Sequence, residues 1–358
     1  MNNIYSVILC GGKGERFWPK SRQAFPKQFV RLFERRSLIQ ATSMRIRKLC
    51  PLRQQLFVAP ESFARLLKKE LRVKTANLIL EPYGRNTAPA IGLAAATIYA
   101  YDPQAIMIVL PADHLIKPEQ EFIKAVRLAI AVARQGLLVT FGIVPARPDT
   151  GYGYIEIGES LLTYKNLTAY RVKSFREKPD QITAEQYLKT GQFLWNSGMF
   201  VWRVDTILAA FARFMPEFYQ QLLKLSAVKR KMQRTTVIRK IYNRVESISI
   251  DYAVMEKADN VAVVRAGFDW DDVGSWLALE RHLPVDGNGN AVNGLWFGIG
   301  TGNCIIYSEE GVIGTLGVKN LVIARCGDGL LVADKAALGD LKQLLAQMAK
   351  DSRAKKFL

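Results

Sequence analysis

The 358-residue sequence predicts an α/β protein: a mainly parallel sheet with helices on both faces, followed by a small C-terminal β unit that ends in a helix. Three observations carry this. Short apolar runs alternate with helix-length segments through the first 145 residues, the order that a parallel sheet and its covering helices require. One such segment repeats Phe122, Ala125, Val126, Ala129, Ile130 and Ala133 at three- and four-residue spacings, which puts an apolar stripe against a sheet. Beyond Pro284 the pattern changes to glycines between brief apolar runs, the mark of short strands and tight turns.

In chain order, Ile4–Leu9, Gln55–Ala59, Asn77–Leu80, Ala105–Leu110 and Leu137–Ile143 read as buried strands, with helices at Ala88–Tyr101 and Glu119–Gln135. Extended stretches follow around Gly153–Ile157, Ala169–Phe175 and Met199–Val204, then helical segments near 205–225 and 229–244. A boundary near 285 divides the chain into a large domain, 1–284, and a small β unit, 285–358. Within the latter, Asp334–Lys350 reads as a closing helix with Leu338, Leu341, Leu344, Leu345 and Met348 on one side. Ligands of such sheets bind beyond the carboxyl ends of strands, so loops that follow strands are the ones to inspect.

Composition narrows the class. With 49% hydrophobic and 23% charged residues, the chain is neither disordered, collagen-like nor a coiled coil. Cys10, Cys50, Cys304 and Cys326 stand far apart with no C-x-x-C pair, which argues against a disulfide scaffold and a cysteine zinc site. No apolar stretch approaches the ~20 residues that span a bilayer. The N-terminus lacks a basic n-region, so a cytoplasmic protein is expected. A net charge of +18 suggests polyanionic ligands without choosing among nucleic acid, membrane surface and phosphorylated metabolites. Lys229, Arg230, Lys231, Arg234, Arg239 and Lys240, with no acidic residue among them, read as a solvated helix face or a partner surface.

The first strand runs into Gly11-Gly12-Lys13-Gly14-Glu15-Arg16-Phe17-Trp18-Pro19. Successive backbone N–H groups in a glycine loop can cradle phosphate oxygens, although a plain tight turn uses the same residues. The loop is not G-x-x-x-x-G-K-[ST], and Phe17 stands where G-x-G-x-x-G needs its last glycine. Arg16 and, further on, Lys27 add a planar fork of donors and a mobile point charge, which suits a polyphosphate. This stretch through Pro26-Lys27-Gln28-Phe29 resembles the signature of the sugar-1-phosphate nucleotidylyltransferases, most closely their mannose-1-phosphate guanylyltransferase branch. Glu81-Pro82-Tyr83-Gly84-Arg85-Asn86-Thr87, Leu110-Pro111-Ala112-Asp113-His114, Phe175-Arg176-Glu177-Lys178-Pro179, Trp195-Asn196-Ser197-Gly198-Met199-Phe200, Ser249-Ile250-Asp251-Tyr252-Ala253-Val254-Met255-Glu256-Lys257 and Asp271-Asp272-Val273-Gly274-Ser275-Trp276 follow in that family's order, so the likeness spans roughly residues 4–345.

The resemblance implies a Rossmann-like nucleotidyltransferase fold with a left-handed β-helix fragment at 285–340 that contributes to a homodimer. It implies transfer of GMP from GTP to mannose 1-phosphate with Mg2+. The incoming phosphate is already an anion, so no Ser, Cys or His nucleophile is required, in keeping with only two histidines, His114 and His282, and no G-x-S-x-G elbow. By the same resemblance Gly11, Gly12, Gly14, Arg16, Lys27, Glu81, Asn86 and Thr87 bind the nucleotide, with Arg16, Lys27 and Lys178 catalytic. Gly153, Glu177, Lys178 and Asn196 take the sugar phosphate, and Asp113 and Asp272 the metal, with Asp271 competing for the second place. Guanine presents N1–H and N2–H₂ side by side, and Glu81 is expected to accept both. The longer bacterial relatives carry a further isomerase domain, whose activity is expected to be absent from a chain ending at Leu358. Neither a membrane nor a specific nucleic-acid partner is expected. The alternatives are a nucleotidylyltransferase for another hexose or heptose 1-phosphate and a non-catalytic paralogue.

Overall fold

The computed structural model describes residues 3–12, 14–228 and 231–358. Met1, Asn2 and Lys13 lie outside them, as do Lys229, Arg230 and the side chain of Lys231 in the basic run. Two compact units form: Met1–Gly11, Thr42–Ala112 and Ile116–Trp270 make the first, and Gly12–Ala41, Asp113–Leu115 and Asp271–Leu358 the second.

The first unit is built on one sheet. Its strands are β1 (Ile4–Leu9), β2 (Gln55–Pro60), β3 (Leu78–Glu81), β4 (Ile106–Pro111), then, after the short β5 (Leu115–Lys117), β6 (Leu138–Ile143), β7 (Tyr154–Tyr164), β8 (Leu167–Arg176), β9 (Phe193–Arg203) and β10 (Val261–Arg265). Across the sheet the order is β3-β2-β1-β4-β9-β6-β10-β8-β7. β1 to β4 are mutually parallel, β6 and β10 run with them, and β9 and β8 run against the rest. The stretches read as extended near 153 and 169 grow into the long β7–β8 hairpin, turned by Lys165 at φ 57° and Asn166.

Alternate strand residues face opposite layers. Val7, Met107, Val109, Phe200, Trp202 and Val263 share a core with the helices Thr87–Tyr99, Val204–Phe214 and Pro216–Ala227. On the other face, Phe122 of the helix Glu119–Ala133 meets Phe141 at 6.3 Å and Phe268 at 5.4 Å between ring centroids. The helical stretch near 205–225 is two helices, because Pro216 cannot continue the first but suits the opening turn of the second. In the basic run, Arg234 donates to Thr97 Oγ1 at 2.8 Å and Arg239 pairs with Glu61 at 3.2 Å, so the fold itself uses part of that charge. No helix among the described residues is long and apolar enough to cross a membrane.

In the second unit, following β11 (Asp269–Asp271), the strands β12 (Ala291–Ile299), β13 (Ile305–Leu316) and β14 (Leu321–Cys326) stack in parallel, and β15 (Gly329–Asp334) returns antiparallel. They are longer than the apolar runs suggested, because glycines act as bends within strands rather than as ends. At Gly294, φ 104°, the register shifts, and a Cβ there would run into the Ser308 carbonyl. Phe17, Trp18, Val273, Trp276, Ile305, Tyr307, Val322 and Leu338 close this unit's core. The expected closing helix splits into a 3₁₀ segment, Lys335–Asp340, and an α-helix, Leu341–Met348. Gly339 sits at the junction, where it disfavours a continuous helix by about 1 kcal/mol relative to Ala.

Candidate active site

In the second unit, the glycine loop is held from below by aromatic side chains. Phe17 and Trp18 are buried, Phe17 lies 5.3 Å from the Trp276 ring, and Trp276 Nε1 donates to the Trp18 carbonyl at 2.9 Å. Gly14 has φ 66°, and a Cβ on it would overlap Lys27, whose backbone N would be 2.5 Å away. Gly14 is therefore required for the loop to lie on Lys27. Gly12 differs: it is exposed, and a Cβ there would meet nothing within 4 Å. Arg16 is exposed.

Lys27 is buried, and its ammonium donates to Asp113 Oδ2 at 2.8 Å and to the Asp272 carbonyl at 2.6 Å. Burial would raise the Asp113 carboxyl, but Lys27 and His114 outweigh it and hold it below the usual carboxylate range. Asp271 is spent on the fold. Its oxygens accept from Arg281 Nε at 2.6 Å, Arg281 Nη2 at 3.0 Å and the Val273 N–H at 2.7 Å, and His282 Nε2 lies 2.8 Å away. Against the opposing effect of burial, His282 and Arg281 hold its carboxyl far below the ordinary range. Asp272 is the half-exposed one. Next to it Val273, buried and β-branched, sits at φ 49°, a strained conformation costing about 1–3 kcal/mol. Among the described residues, no three or more His, Cys, Asp or Glu side chains gather into a metal cage.

In the first unit, Gly11 ends β1's loop, exposed and with open space where a Cβ would be. Glu81 ends β3, and Asn86, at φ 67°, caps the helix Thr87–Tyr99 by accepting the Thr87 N–H at 2.9 Å. Glu81 is 3% exposed, and its Oε1 accepts from the Tyr242 hydroxyl at 2.6 Å. Burial, partly offset by Tyr242, pushes its carboxyl up to about 7. In this arrangement Glu81 ties the end of β3 to Tyr242. Tyr83 stacks edge-on against Tyr242 and donates to Asn243 Oδ1 at 2.8 Å.

Gly153, Glu177, Lys178 and Asn196 come together in the same unit. A Cβ on Gly153 would strike Glu177 Oε2, and the Gly153 carbonyl accepts from the Asn196 N–H at 2.8 Å. Asn196 Oδ1 accepts from Thr140 Oγ1 at 3.0 Å, and its Nδ2 donates to Asp251 Oδ1 at 2.8 Å. Glu177 Oε2 is buried without a hydrogen-bond partner, and Glu177 Oε1 lies 3.2 Å from the exposed Lys178 ammonium. Lys178 sits at φ 49°. Burial, then the neighbouring Glu177, push the Asp251 carboxyl up to about 7. Nearby, the Tyr152 ring lies 5.1 Å from Trp195 and 5.2 Å from Trp270, with the Arg147 guanidinium 5.1 Å over Trp195.

Residues 5–285 match the family described as nucleotidyl transferase, and residues 294–348 the one described as MannoseP isomerase/GMP-like beta-helix domain. A mannose-1-phosphate guanylyltransferase of Klebsiella pneumoniae is 40% identical over 355 residues, covering 98% of this chain and 75% of that protein. The chain belongs to the mannose-1-phosphate guanylyltransferase family. An enzyme of the same name from Escherichia coli (strain K12) is 38% identical over 98% of this chain and 75% of its own length. The fold agrees at high similarity with a crystal structure described as mannose-1-phosphate geranyltransferase from Thermus thermophilus, with a TM-score of 0.86 at 34% identity over 97% of this chain and 99% of that one.

In this member of the guanylyltransferase family, several residues of the site were not assigned from sequence. Thr140 gave no signal there, since it lies inside a strand. Asp251 and Glu256 did stand in a motif, Ser249–Lys257, and could have been singled out as its acidic members. Tyr242, the partner of Glu81, is far from it in sequence and looks like an ordinary aromatic of a basic helix.

Proposed function

We propose that the chain transfers GMP from GTP to α-D-mannose 1-phosphate in the cytoplasm, giving GDP-mannose and pyrophosphate. The observation that carries this reading is the near-full-length likeness to proteins named mannose-1-phosphate guanylyltransferase. A phosphate oxygen of the sugar phosphate attacks the α-phosphorus of GTP. The new P–O bond forms as the bond to the bridging oxygen breaks, and pyrophosphate leaves with that electron pair. Both reactants are anions, so the residues have to position them and neutralise charge.

Lys27 and Arg16 face the triphosphate in this reading, with the backbone of Gly11 and Gly12 against its oxygens; Asn86 and Thr87 shape the nucleotide segment. Lys178 takes the phosphate of the sugar, while Asn196, Glu177 and the Gly153 backbone hold its hydroxyls. Asp113 and Asp272 would hold Mg2+. Lys27 draws the Asp113 carboxylate and the backbone carbonyl of Asp272 to one point, which brings the two residues near each other, and Mg2+ takes one or two carboxylates from a protein and the rest from phosphate and water. When bound, Mg2+ supplies positive charge to the phosphate oxygens.

A homodimer belongs to the same reading. Leu295, Phe297 and Ile299 of β12 and Val312 and Leu316 of β13 form an exposed apolar face on neighbouring strands, of a kind that calls for a partner.

The test is pyrophosphate release by the purified chain with Mg2+, crossing GTP, ATP, UTP and dTTP with mannose-, glucose- and galactose 1-phosphate. Release confined to GTP with mannose 1-phosphate supports the proposal. Release with GTP and another sugar keeps the chemistry and replaces the substrate, and silence throughout rejects it.

A further inference from the structure

The segment from Ile248 to Glu256 is hydrogen-bonded to residues proposed for both the nucleotide and the sugar phosphate. It contains a short π-helix, Asp251–Met255, in which Ala253, Val254 and Met255 are buried. π-helical turns are rare and recur at functional sites. Here the turn is anchored in the core on one side and turns its polar groups toward residues already placed in the site.

Hydrogen bonds tie this segment to both groups of candidate residues. The Ile248 carbonyl accepts the Ala88 N–H at 3.1 Å, and the Ile250 N–H donates to Thr87 Oγ1 at 2.8 Å, both at the start of the helix behind the nucleotide segment. Asp251 Oδ1 accepts from Asn196 Nδ2 at 2.8 Å, and Glu256 Oε1 accepts the Glu177 N–H at 3.1 Å. Thus two acids on one rigid turn each hold one residue of the sugar group.

The chemistry of Asn196 makes the Asp251 bond specific. A side-chain amide has two N–H donors and one carbonyl. Oδ1 accepts from the Gly198 N–H at 3.3 Å and faces Thr140 Oγ1 at 3.0 Å, whose single proton it shares with the Met199 carbonyl, also at 3.0 Å. One Nδ2 hydrogen is taken by Asp251, and turning the amide over would give up both this bond and the one from Gly198. The second Nδ2 hydrogen remains as a donor for a sugar oxygen. Glu256 acts similarly on the backbone: it fixes the peptide from which the Glu177 side chain and Lys178, at its strained φ of 49°, project.

We propose that Asp251 and Glu256 are positioning residues for the sugar phosphate, Asp251 by orienting the Asn196 amide and Glu256 by holding the Arg176–Glu177 peptide. This rests on the function proposed above and extends it to residues that do not themselves touch substrate.

The experiment compares wild type with Asp251→Ala, Asp251→Asn, Glu256→Ala and Glu256→Gln in the full chain. For each, KM for mannose 1-phosphate, KM for GTP and kcat are measured, together with the thermal midpoint. Asp251→Ala and Glu256→Ala should each raise KM for the sugar phosphate about tenfold, the loss of one well-placed hydrogen bond to a charged group, with KM for GTP within about twofold. Asp251→Asn and Glu256→Gln retain an acceptor oxygen and should recover most of that loss. Equal rises in both KM values, or alanine variants with unchanged sugar KM, overturn the proposal. If one alanine variant fails to fold, the other and its conservative partner decide. If wild type is silent with every substrate pair, the functional reading fails separately. The positioning claim is then judged by a crystal structure of Asp251→Ala, where an Asn196 amide still in its wild-type orientation overturns it.

Discussion

The Lys27 ammonium lies 2.8 Å from Asp113 Oδ2 and 2.6 Å from the carbonyl of Asp272, so one cation joins the two positions proposed to hold the metal. Lys27→Met removes that cation and should lower kcat/KM by about 10²–10³, the scale seen when a preorganised charge-stabilising donor is lost. It should also release Asp113 toward the ordinary carboxylate range. A carboxyl held low stabilises the fold above its unfolded pKa, and that contribution is lost as pH falls through the folded value. The variant's acid unfolding should therefore lack this component, which a pH series of urea midpoints reads. Unchanged kinetics in Lys27→Met would remove Lys27 from the machinery.

The adjacent aspartates should separate function from stability. Asp272→Asn is expected to abolish Mg2+-dependent turnover while leaving the urea midpoint close to wild type. Asp271→Asn strips Arg281 and His282 of their shared carboxylate and should cost about 1–3 kcal/mol, moderated because Arg281 is partly solvent-screened. The reverse pattern in paired activity and unfolding curves would exchange their roles.

Glu81 provides a pH signature of opposite sign. Its carboxyl is raised from 4.5 to about 7, so between those values the folded chain keeps a proton that the unfolded chain has released. Stability from this group is full below the unfolded pKa and falls as pH rises through about 7. Glu81→Gln should flatten that part of the stability profile and, if Glu81 reads guanine, weaken GTP use several-fold or more; GTP kinetics unchanged in the same variant would eliminate that assignment.

Two glycines of one loop should behave differently. Gly14→Ala forces a Cβ into Lys27 at a left-handed φ and should destabilise the loop and abolish turnover. Gly12→Ala meets open space, so its unfolding midpoint should be unchanged. A raised KM for GTP in that variant would mark the space as one that phosphate occupies; wild-type kinetics would empty it of that role.

The exposed apolar face of β12 and β13 predicts the outcome of Phe297→Asp. Phe297 is 67% exposed, so the change should not disturb the protomer's fold. Sedimentation velocity should show wild-type dimer and variant monomer at micromolar concentration. A wild-type monomer would exclude the face as a self-contact.

Much of this was legible in the residues. The strands β1 to β4 and β6 were readable as unbroken apolar runs, because buried parallel strands leave no room for alternation. The family resemblance, motif by motif, singled out Lys27, Asp113, Glu177 and Asn196 as candidates. β7 to β9 were read too short, since edge and antiparallel strands mix polar with apolar residues and hide their length.

What the sequence alone determined is the set of parts: an alternating α/β domain, a glycine-rich β unit and charged residues in loops that follow strands. Only the tertiary structure decided how those charges are spent. Asp271 and Asp272 are indistinguishable as neighbours in a string, yet one is bound by Arg281 and His282 while the other lies half-exposed with its carbonyl on Lys27. Glu81 turns inward to Tyr242, and Asp251 grips Asn196, through hydrogen bonds spanning 161 and 55 residues. The reason is physical: local propensity and patterning act over a few residues, whereas the ionisation and orientation of a buried polar group depend on whichever distant partner the fold brings within hydrogen-bond reach.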